Sequence, residues 1–378
     1  MFSKVPVLQY IHLLMIKARQ ALSKGMATNE LLLAVALSLM IIILGVGLGW
    51  EGNKVTPVNP ATSAHYNLEP NNRLSFMSNW DGPNYLDIAQ HGYANKDEAN
   101  FFPLYPLTVR FVHTFVKSLL DSGLIVAWLS LVGAVYFYLK IVKQLYHIKD
   151  NLEAMRGVLF FILFPTAVFL MATYTEGLFA FLALGAIYYA LRKKYIAAGL
   201  FAMLSTATHV DGMFVVLLVG MLMLEDRVRP LKIAASVAIG TLGLAAFMTW
   251  QKIKFNNPLE FITAQKGHSW LNLSDAHFLR LIVSLNGIFV LLLLVSALYW
   301  WPRRKSFSIF SLMYASTFFF VGKDLGGLGR YSLVAFPLQL MFYDYFRNKK
   351  AIYPLVIALS AILWTFFTLH YAGGYTGG

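Results

Sequence analysis

Long apolar runs separated by short polar segments set the pattern of this chain. The run "LLLAVALSLMIIILGVGLG" (31–49) is one of several stretches of roughly 18 or more apolar residues, long enough to cross a hydrocarbon core as helices. A transmembrane β-barrel would instead show short segments of alternating polarity. The pattern predicts an all-α fold, namely a polytopic integral membrane helical bundle.

Clusters of Lys and Arg interrupt the apolar runs. They fall at 1–24, 140–156, 192–194, 227–232, 303–305 and 347–350. Placing every cluster in the cytoplasm by the positive-inside rule gives one consistent path of about eleven crossings. The crossings are single spans at 31–49, 123–142 and 351–370, and hairpins at 157–191, 195–224, 231–301 and 306–346. The N-terminus is then cytoplasmic, and residues 1–25 are predicted to form an amphipathic segment on the inner surface.

Residues 50–120 form a large first external loop on this path, and their second half is ambiguous. A segment at 101–120 could be a twelfth crossing. However, Arg110, His113 and Lys117 recur at spacings of three and four, which places them on one helix face. A crossing here would also put the basic 140–156 loop outside. We therefore expect 101–120 to dip into the outer leaflet.

Composition agrees with a membrane protein and removes several classes of chemistry. The chain is 58% hydrophobic with 13% charged residues, a mean hydropathy of +0.60 and no cysteine. Disulfides, thiol nucleophiles and thiolate metal sites are therefore excluded. The net charge of +13 is better explained by cytoplasmic basic loops than by nucleic-acid binding.

Polar residues collect in the predicted external segments. These include "NWDGPNYLDIAQHGY" (79–93), "TYTEG" (173–177), "THVDG" (208–212), "NNPLEFITAQKGHSW" (256–270) and "KDLGGLGRY" (323–331). Ionisable residues at membrane depth cost roughly 2.5–3.5 kcal/mol each on insertion scales and seldom lie there without a function. Their collection on one side predicts a pocket that opens outward.

The order of these segments resembles that of the PIG-V-like mannosyltransferases, which are relatives of GPI mannosyltransferase II in the GT-C superfamily. "NWDGPNYLDIAQHGY" followed by "FFPLYPL" is similar to the family's first external loop. "LFPTAVFLMATYTEGLFAFLAL", "STATHVDGM", "NPLEFITAQKGHSW" and "GRYSLVAFPL" follow in the family's order. The resemblance implies a GT-C-like catalytic domain over 26–378.

What the resemblance implies is an inverting glycosyltransferase. It would move a sugar, most often mannose, from a polyprenyl-phosphate donor to a hydroxyl of a lipid-linked or other extracytoplasmic acceptor. One position departs from the pattern, because His209 stands where the family's Thr-Arg-x-x-Gly tip has Arg. A transferase for another polyprenyl-linked hexose or pentose therefore remains open. A secondary transporter or lipid flippase is the alternative from another class.

Asp81 is the candidate catalytic base, because a carboxylate can accept the acceptor's proton as the glycosidic bond forms. Its position before Gly82 and Pro83 also suits the N-cap of a short helix over 82–91 that Gly92 would end. The two roles are compatible, since capping would fix the carboxylate in place.

The remaining candidates divide into two groups. Cations suited to the donor phosphate are Arg330, His209, Lys323 and Arg110. Side chains suited to sugar or acceptor contacts are Trp80, Tyr85, His91, Tyr93, Tyr174, Glu176, Asp211, Gln265 and Trp270. A metal site from His209, Asp211 and Asp81 is conceivable, but no spacing demands one, so no metal or other cofactor is predicted.

Overall fold

The computed structural model describes residues 29–55, 69, 72–264, 285–317 and 328–375. Their regular structure is helical, with no strand among them. The helices are α1 (Glu30–Val55), α2 (Gly82–His91), α3 (Leu104–His113), α4 (Leu119–Tyr146), α5 (Asn151–Ile162), α6 (Thr175–Leu191), α7 (Tyr195–Thr208), α8 (Gly212–Glu225), α9 (Pro230–Phe255), α10 (Glu260–Thr263), α11 (Leu285–Trp300), α12 (Lys305–Ser316), α13 (Leu328–Val334), α14 (Phe336–Phe346) and α15 (Ile352–Ala372). Short 3₁₀ turns lie at Ser75–Met77, Asp97–Asn100 and Ala167–Leu170.

Four of the described helices are long and apolar enough to cross a membrane: α1, α4, α9 and α15. The shortest of them has 21 residues, about 31 Å at 1.5 Å per residue, which matches a hydrocarbon core of about 30 Å. Large apolar side chains on α15, such as Leu355, Leu359 and Ile362, are exposed, as expected for a surface that faces lipid. The all-α fold predicted from the sequence is confirmed in the described residues, and four of their helices are candidate membrane spans.

The basic segments meet at one end of the molecule. Glu30 at the start of α1 pairs with Lys140 and Lys143 near the end of α4, at 2.6 and 2.5 Å. We call these three residues the lysine cluster. Further side-chain bonds join the other basic segments there: Gln144 to the Leu191 carbonyl, Ser236 to the Tyr195 carbonyl, Arg304 to Glu225 and Arg156 to the Arg347 carbonyl. We call this region the basic end.

The polar segments meet at the opposite end of the same helices, which we call the polar end. Three long-range contacts define it: Asn79 with Tyr371, Asp81 with Arg330, and Gln251 with the Ala99 carbonyl. The separation of polar and basic segments that the sequence predicts is therefore present in the fold.

Part of the predicted external loop packs on the bundle at the polar end. Glu69 accepts hydrogen bonds from the Ser118 hydroxyl and the Leu119 amide at the start of α4. Burial raises the pKa of Glu69, but these hydrogen bonds and one from Asn72 outweigh it and hold the pKa below its usual value. The N-terminus of α4 is thus capped by a carboxylate from the loop.

Residues 101–120 do not form a continuous helix. Helix α3 ends at His113, so it is about 15 Å long, half the thickness of a hydrocarbon core. Pro103 stands immediately before it and sets its start. Residues 101–120 therefore do not form one helix long enough to cross the membrane by itself.

Candidate active site

A clamped turn places Asp81 at the polar end. The Tyr174 hydroxyl donates to the Asn79 carbonyl at 3.0 Å and accepts from the Asp81 amide at 3.1 Å, so one phenol spans the turn. Trp80 between them has a φ of 55°, a left-handed conformation that costs a bulky residue roughly 1–2 kcal/mol. Such strain persists only where the surroundings fix the backbone, and it concentrates at functional sites.

Gly82 and Asn79 hold the same turn from two other directions. A Cβ on Gly82 would lie 2.6 Å from the Thr173 hydroxyl, so a larger residue does not fit. The Asn79 amide group donates to the Tyr371 carbonyl at 2.7 Å, and the Asn79 backbone N–H donates to the Tyr371 hydroxyl. The C-terminal helix α15 therefore takes part in positioning the turn.

Arg330 lies between two carboxylates. Its Nη1 is 2.8 Å from Asp81 Oδ2, and its Nε is 3.0 Å from Glu176 Oε1. We call these three residues the arginine cluster. The side chains of Glu176 and Arg330 are 6% and 10% exposed, whereas that of Asp81 is 37% exposed. The cluster thus has an interior anion and an outer anion, and Asp81 is the one that a ligand can reach.

Helix α2 begins at Gly82 and ends at His91, with Gly92 as its C-cap, as the sequence predicts. The Asp81 carboxylate, however, makes no capping hydrogen bond. It turns instead toward Arg330, since an ion pair with a buried guanidinium competes with the amides of the first turn. The expectation that its side chain caps the helix is wrong.

His209 and Asp211 lie beside the arginine cluster. The Asp211 amide donates to His209 Nδ1 at 3.2 Å, and Asp211 Oδ2 lies 3.5 Å from the same nitrogen. Asp211 Oδ2 is buried, and it has no hydrogen-bond partner among the described residues. With Glu176, Arg330 and Tyr331 these residues line a cavity of about 10 Å³, room for about one water.

Tyr85 lies on the interior side of the site. Its hydroxyl lies 3.5 Å from that of Thr175, and its side chain is buried. Burial, with the nearby charges of Asp81 and Glu176, raises the pKa of Tyr85 well above its usual value. The phenol therefore stays neutral and can serve as a hydrogen-bond donor.

Three predicted residues lie apart from the cluster. Arg110 donates from Nε and Nη2 to the carbonyls of Ala89 and Ile88, so it satisfies the C-terminal end of α2. His91 is paired with Asp87 at 2.9 Å and is largely exposed. Tyr93 donates to the Phe101 carbonyl, and its ring packs against Trp250 at 4.6 Å. These contacts give the three residues structural partners away from Asp81.

The predicted sugar-facing aromatic residues differ in access. Tyr85 and Tyr174 are buried, whereas Trp80 is 37% exposed and is the most accessible of those within the described residues. Gln265, Trp270 and Lys323, as well as the amphipathic segment at 1–25, lie outside the described residues. No cluster of three or more His, Asp or Glu within the described part of the chain could hold a metal ion.

Sequence reasoning missed the residues that position the site. Tyr371 carries no local signal, because it is one of 20 tyrosines and ends an ordinary apolar helix. Tyr331 follows Arg330 directly, and its hydroxyl lies 3.4 Å from Arg330 Nη2. Its place inside the quoted "GRYSLVAFPL" could have identified it.

A known protein family matches the N-terminal part of the chain. The family described as Mannosyltransferase (PIG-V) matches residues 32–228, slightly more than half of the chain. The matched region includes Asp81, Glu176 and His209, and it ends before Arg330.

Individual relatives match shorter stretches. The chain is 30% identical over 150 residues to GPI alpha-1,6-mannosyltransferase 2 of Cricetulus griseus, covering 37% of this chain and 30% of that protein. It is 32% identical over 124 residues to the protein of the same name in Homo sapiens, covering 30% and 24%. It is 29% identical over 116 residues to GPI mannosyltransferase 2 of Drosophila pseudoobscura pseudoobscura, covering 29% and 26%. Each match therefore covers less than a third of the relative's length.

The family match begins in α1 and continues through the clamped turn, Glu176 and His209 to the end of α8. It thus contains both carboxylates of the arginine cluster and the polar tip beside them. On this evidence the chain belongs to the PIG-V mannosyltransferase family.

Proposed function

We propose that this protein is an inverting glycosyltransferase that moves mannose from a polyprenyl-phosphate donor to a hydroxyl of a lipid-linked or other extracytoplasmic acceptor. The observation that carries the proposal is Arg330 between Asp81 and Glu176 at the polar end of a PIG-V family member. A guanidinium suits the donor phosphate, and a half-exposed carboxylate beside it suits the acceptor hydroxyl.

The transfer is a single displacement at the anomeric carbon. The acceptor oxygen bonds to that carbon, the bond from carbon to the phosphate oxygen breaks, and its electron pair leaves with the phosphate. Asp81 takes the hydroxyl proton. The leaving polyprenyl phosphate gains negative charge as the bond breaks, and Arg330 stabilises that charge more than it stabilises the donor.

The ion pair between Asp81 and Arg330 implies an order of events. Donor phosphate and the Asp81 carboxylate would both bind Nη1 of Arg330, and each carries one negative charge. We expect the phosphate to replace Asp81 there without changing the charge around Arg330. Asp81 is then free to face the acceptor, while Glu176 keeps the guanidinium in place from the interior.

An apolar groove supports a lipid-linked substrate. About 730 Å³ of space lies between α1 and α4, lined by residues such as Leu39, Val46 and Trp128. The Trp128 indole donates to the Met171 carbonyl, three residues before Tyr174. The groove therefore runs along two spanning helices, and one of its lining residues contacts the segment that leads to Tyr174.

For the topology we propose about eleven crossings with the basic end in the cytoplasm. Several passes would use helices shorter than a full span, such as α5 with 12 residues, together with the turns that extend them. The active site would then face the extracytoplasmic or lumenal side. The alternation of polar-end and basic-end contacts along the described helices supports this path.

Mannose is proposed because the relatives' names specify it. His209 in place of the expected Arg keeps a second candidate, transfer of another polyprenyl-linked hexose or pentose. Membership of a mannosyltransferase family favours transfer over a transporter or flippase. We propose no metal, since Arg330 can supply the positive charge at the phosphate.

The experiment compares Asp81→Asn with Asp87→Asn in purified, reconstituted protein. Both changes remove a carboxylate beside or within α2, but Asp87 is paired with His91 outside the cluster. With polyprenyl-phosphate mannose and a GPI-type glycolipid acceptor, we expect Asp81→Asn to lower turnover by about 10² or more and Asp87→Asn to leave it near wild type. Because Asn no longer competes for Arg330, prenyl phosphate should bind severalfold more tightly to Asp81→Asn.

Donors carrying other sugars, and a mannose nucleotide, form the specificity arm of the same assay. If the wild-type protein transferred only a different polyprenyl-linked sugar, the proposed donor sugar would be that one and not mannose. Turnover of Asp81→Asn close to wild type would reject Asp81 as the base. Solute movement across vesicles without any transfer would favour a transporter.

A further inference from the structure

A second cavity lies at the basic end, between the start of α7 and the first turns of α9. Its volume is about 440 Å³. Lys193, Lys194 and Lys232 line it, together with apolar side chains that include Ile196 and Ile239. The arginine cluster lies at the opposite end of the same helices, so this cavity is separate from the proposed active site.

The cations of this cavity are unpaired. The side chains of Lys193, Lys194 and Lys232 are in exposed residues, and they make no hydrogen bond or ion pair with other described residues. No carboxylate lines the cavity. The nearby acidic residues are Asp226, whose charge reaches Tyr195, and Glu225, which is already bound to Arg304.

The flanking sequence adds to the positive charge. Arg192 precedes the two lysines of the first loop, and Arg227 and Arg229 precede Lys232 in the second. The two loops thus bring six cations against the two carboxylates of Glu225 and Asp226. A ligand of negative charge is therefore favoured, and the charge excess exceeds what the local acidic residues can neutralise.

The apolar part of the cavity specifies a ligand with a hydrocarbon portion. Ile196, which lines the cavity, is 72% exposed. Leu231, which precedes Lys232 outside the cavity lining, is 81% exposed. Helix α9, which begins at Pro230, is long and apolar enough to span a membrane. The cavity therefore lies where a membrane-spanning helix meets its basic flank, with cations toward water and apolar walls toward the hydrocarbon.

We propose that this cavity binds an anionic phospholipid of the leaflet at the basic end. Lys193, Lys194 and Lys232 would contact the headgroup phosphate, and the acyl chains would lie against Ile196 and Ile239. A free phosphate ion would use the lysines but leave the apolar wall exposed. This inference is independent of the donor and acceptor proposed for the active site.

The test measures lipid selectivity of the full chain. Protein purified in detergent is mixed with phosphatidylglycerol and phosphatidylcholine of identical acyl chains, and retained lipid is counted by native mass spectrometry. The site variant carries Lys193→Gln, Lys194→Gln and Lys232→Gln. The matched control carries Lys149→Gln, Lys305→Gln and Lys350→Gln, which removes the same charge from exposed positions at the same end.

We expect wild type and control to prefer phosphatidylglycerol, and the site variant to lose that preference by about tenfold or more. Inorganic phosphate should not displace the lipid. An equal loss of phosphatidylglycerol preference in both triple variants would overturn the proposal, because the preference would then come from the general positive charge of the surface and not from this cavity. Displacement by millimolar phosphate would also overturn it, in favour of a free-anion site. Thermal unfolding of both variants near wild type shows that they remain folded.

Discussion

The arginine cluster and the lysine cluster are ionic triads of opposite design. In the lysine cluster one carboxylate, Glu30, is held by two lysines of α4, and Lys143 also reaches the Asn151 side chain. In the arginine cluster one cation is shared by two carboxylates. The first triad has a surplus of positive charge next to water, and the second has a surplus of negative charge in the interior.

The origin of the side chains differs as well. Glu30, Lys140 and Lys143 belong to the ends of two long regular helices, where charges near water hold helices together at modest gain. Asp81, Glu176 and Arg330 come from a left-handed turn and from the first turns of two shorter helices. Burying the charges of Arg330 and Glu176 is costly for folding alone, which marks the arginine cluster as a site for a ligand.

The largest effect should follow from Arg330→Gln. It leaves Glu176 buried without its cation, and breaking a buried pair in this way costs about 3–5 kcal/mol. Prenyl phosphate binding should also be lost. Chemical unfolding in micelles measures the first effect, and titration with a short prenyl phosphate measures the second.

The double variant Arg330→Gln with Glu176→Gln is its control. If the uncompensated carboxylate causes the loss, the double variant should recover much of the stability while binding stays lost. A single variant as stable as wild type would mean that Glu176 is not held as a charged group by Arg330.

The sequence predicted local features around the arginine cluster, but it did not predict that Asp81 and Arg330 pair. The bounds of α2 followed from Gly82, Pro83 and Gly92, because glycine and proline act on the backbone at their own positions. Arg330 lies 249 residues from Asp81, and no local pattern reports such a contact. The two residues were predicted to have separate roles, whereas the fold pairs them.

Arg110 is another residue whose role depends on a contact that the sequence does not reveal. Its spacing with His113 and Lys117 predicted one face of a helix, and its charge made it a candidate for phosphate. The last carbonyls of a helix need partners from outside it, and Arg110 donates to those of Ala89 and Ile88, the second of which also accepts from the Gly92 amide. Whether a cation binds a ligand phosphate or the carbonyls at a helix end depends on its neighbours in the folded structure.

The second prediction concerns the clamp that distinguishes the arginine cluster. Tyr174→Phe removes the hydroxyl that bonds to both Asn79 and Asp81. The Asp81 amide then loses its partner, and the Asn79 carbonyl keeps only the hydrogen bond from the Gly82 amide. We expect about 1–3 kcal/mol of lost stability and about tenfold lower turnover, because the base is displaced. KM should change little, since Arg330, held in place by Glu176, still binds the donor.

Tyr138→Phe is the matched control for this clamp. Tyr138 is fully buried, and its hydroxyl has no hydrogen-bond partner among the described residues. Its removal should leave both stability and turnover near wild type. Equal losses in the two variants would show that buried phenols matter for packing alone and that the Tyr174 clamp has no positioning role.

The smallest effect is expected at the lysine cluster. Glu30→Gln removes the carboxylate that joins α1 to α4, but Lys140 and Lys143 are each about a fifth exposed and can extend toward water. We expect about 1 kcal/mol or less of lost stability and unchanged turnover per folded molecule. Glu51→Gln, which breaks an exposed pair with Lys54, should cost less still. If Glu30→Gln lowered turnover as strongly as Asp81→Asn, the division between a fastening cluster and a ligand-binding cluster would be wrong. If Glu30→Gln instead keeps the catalytic rate and loses little stability, the lysine cluster serves only to fasten α1 to α4. Catalysis would then require the charges of the arginine cluster but not those of the lysine cluster.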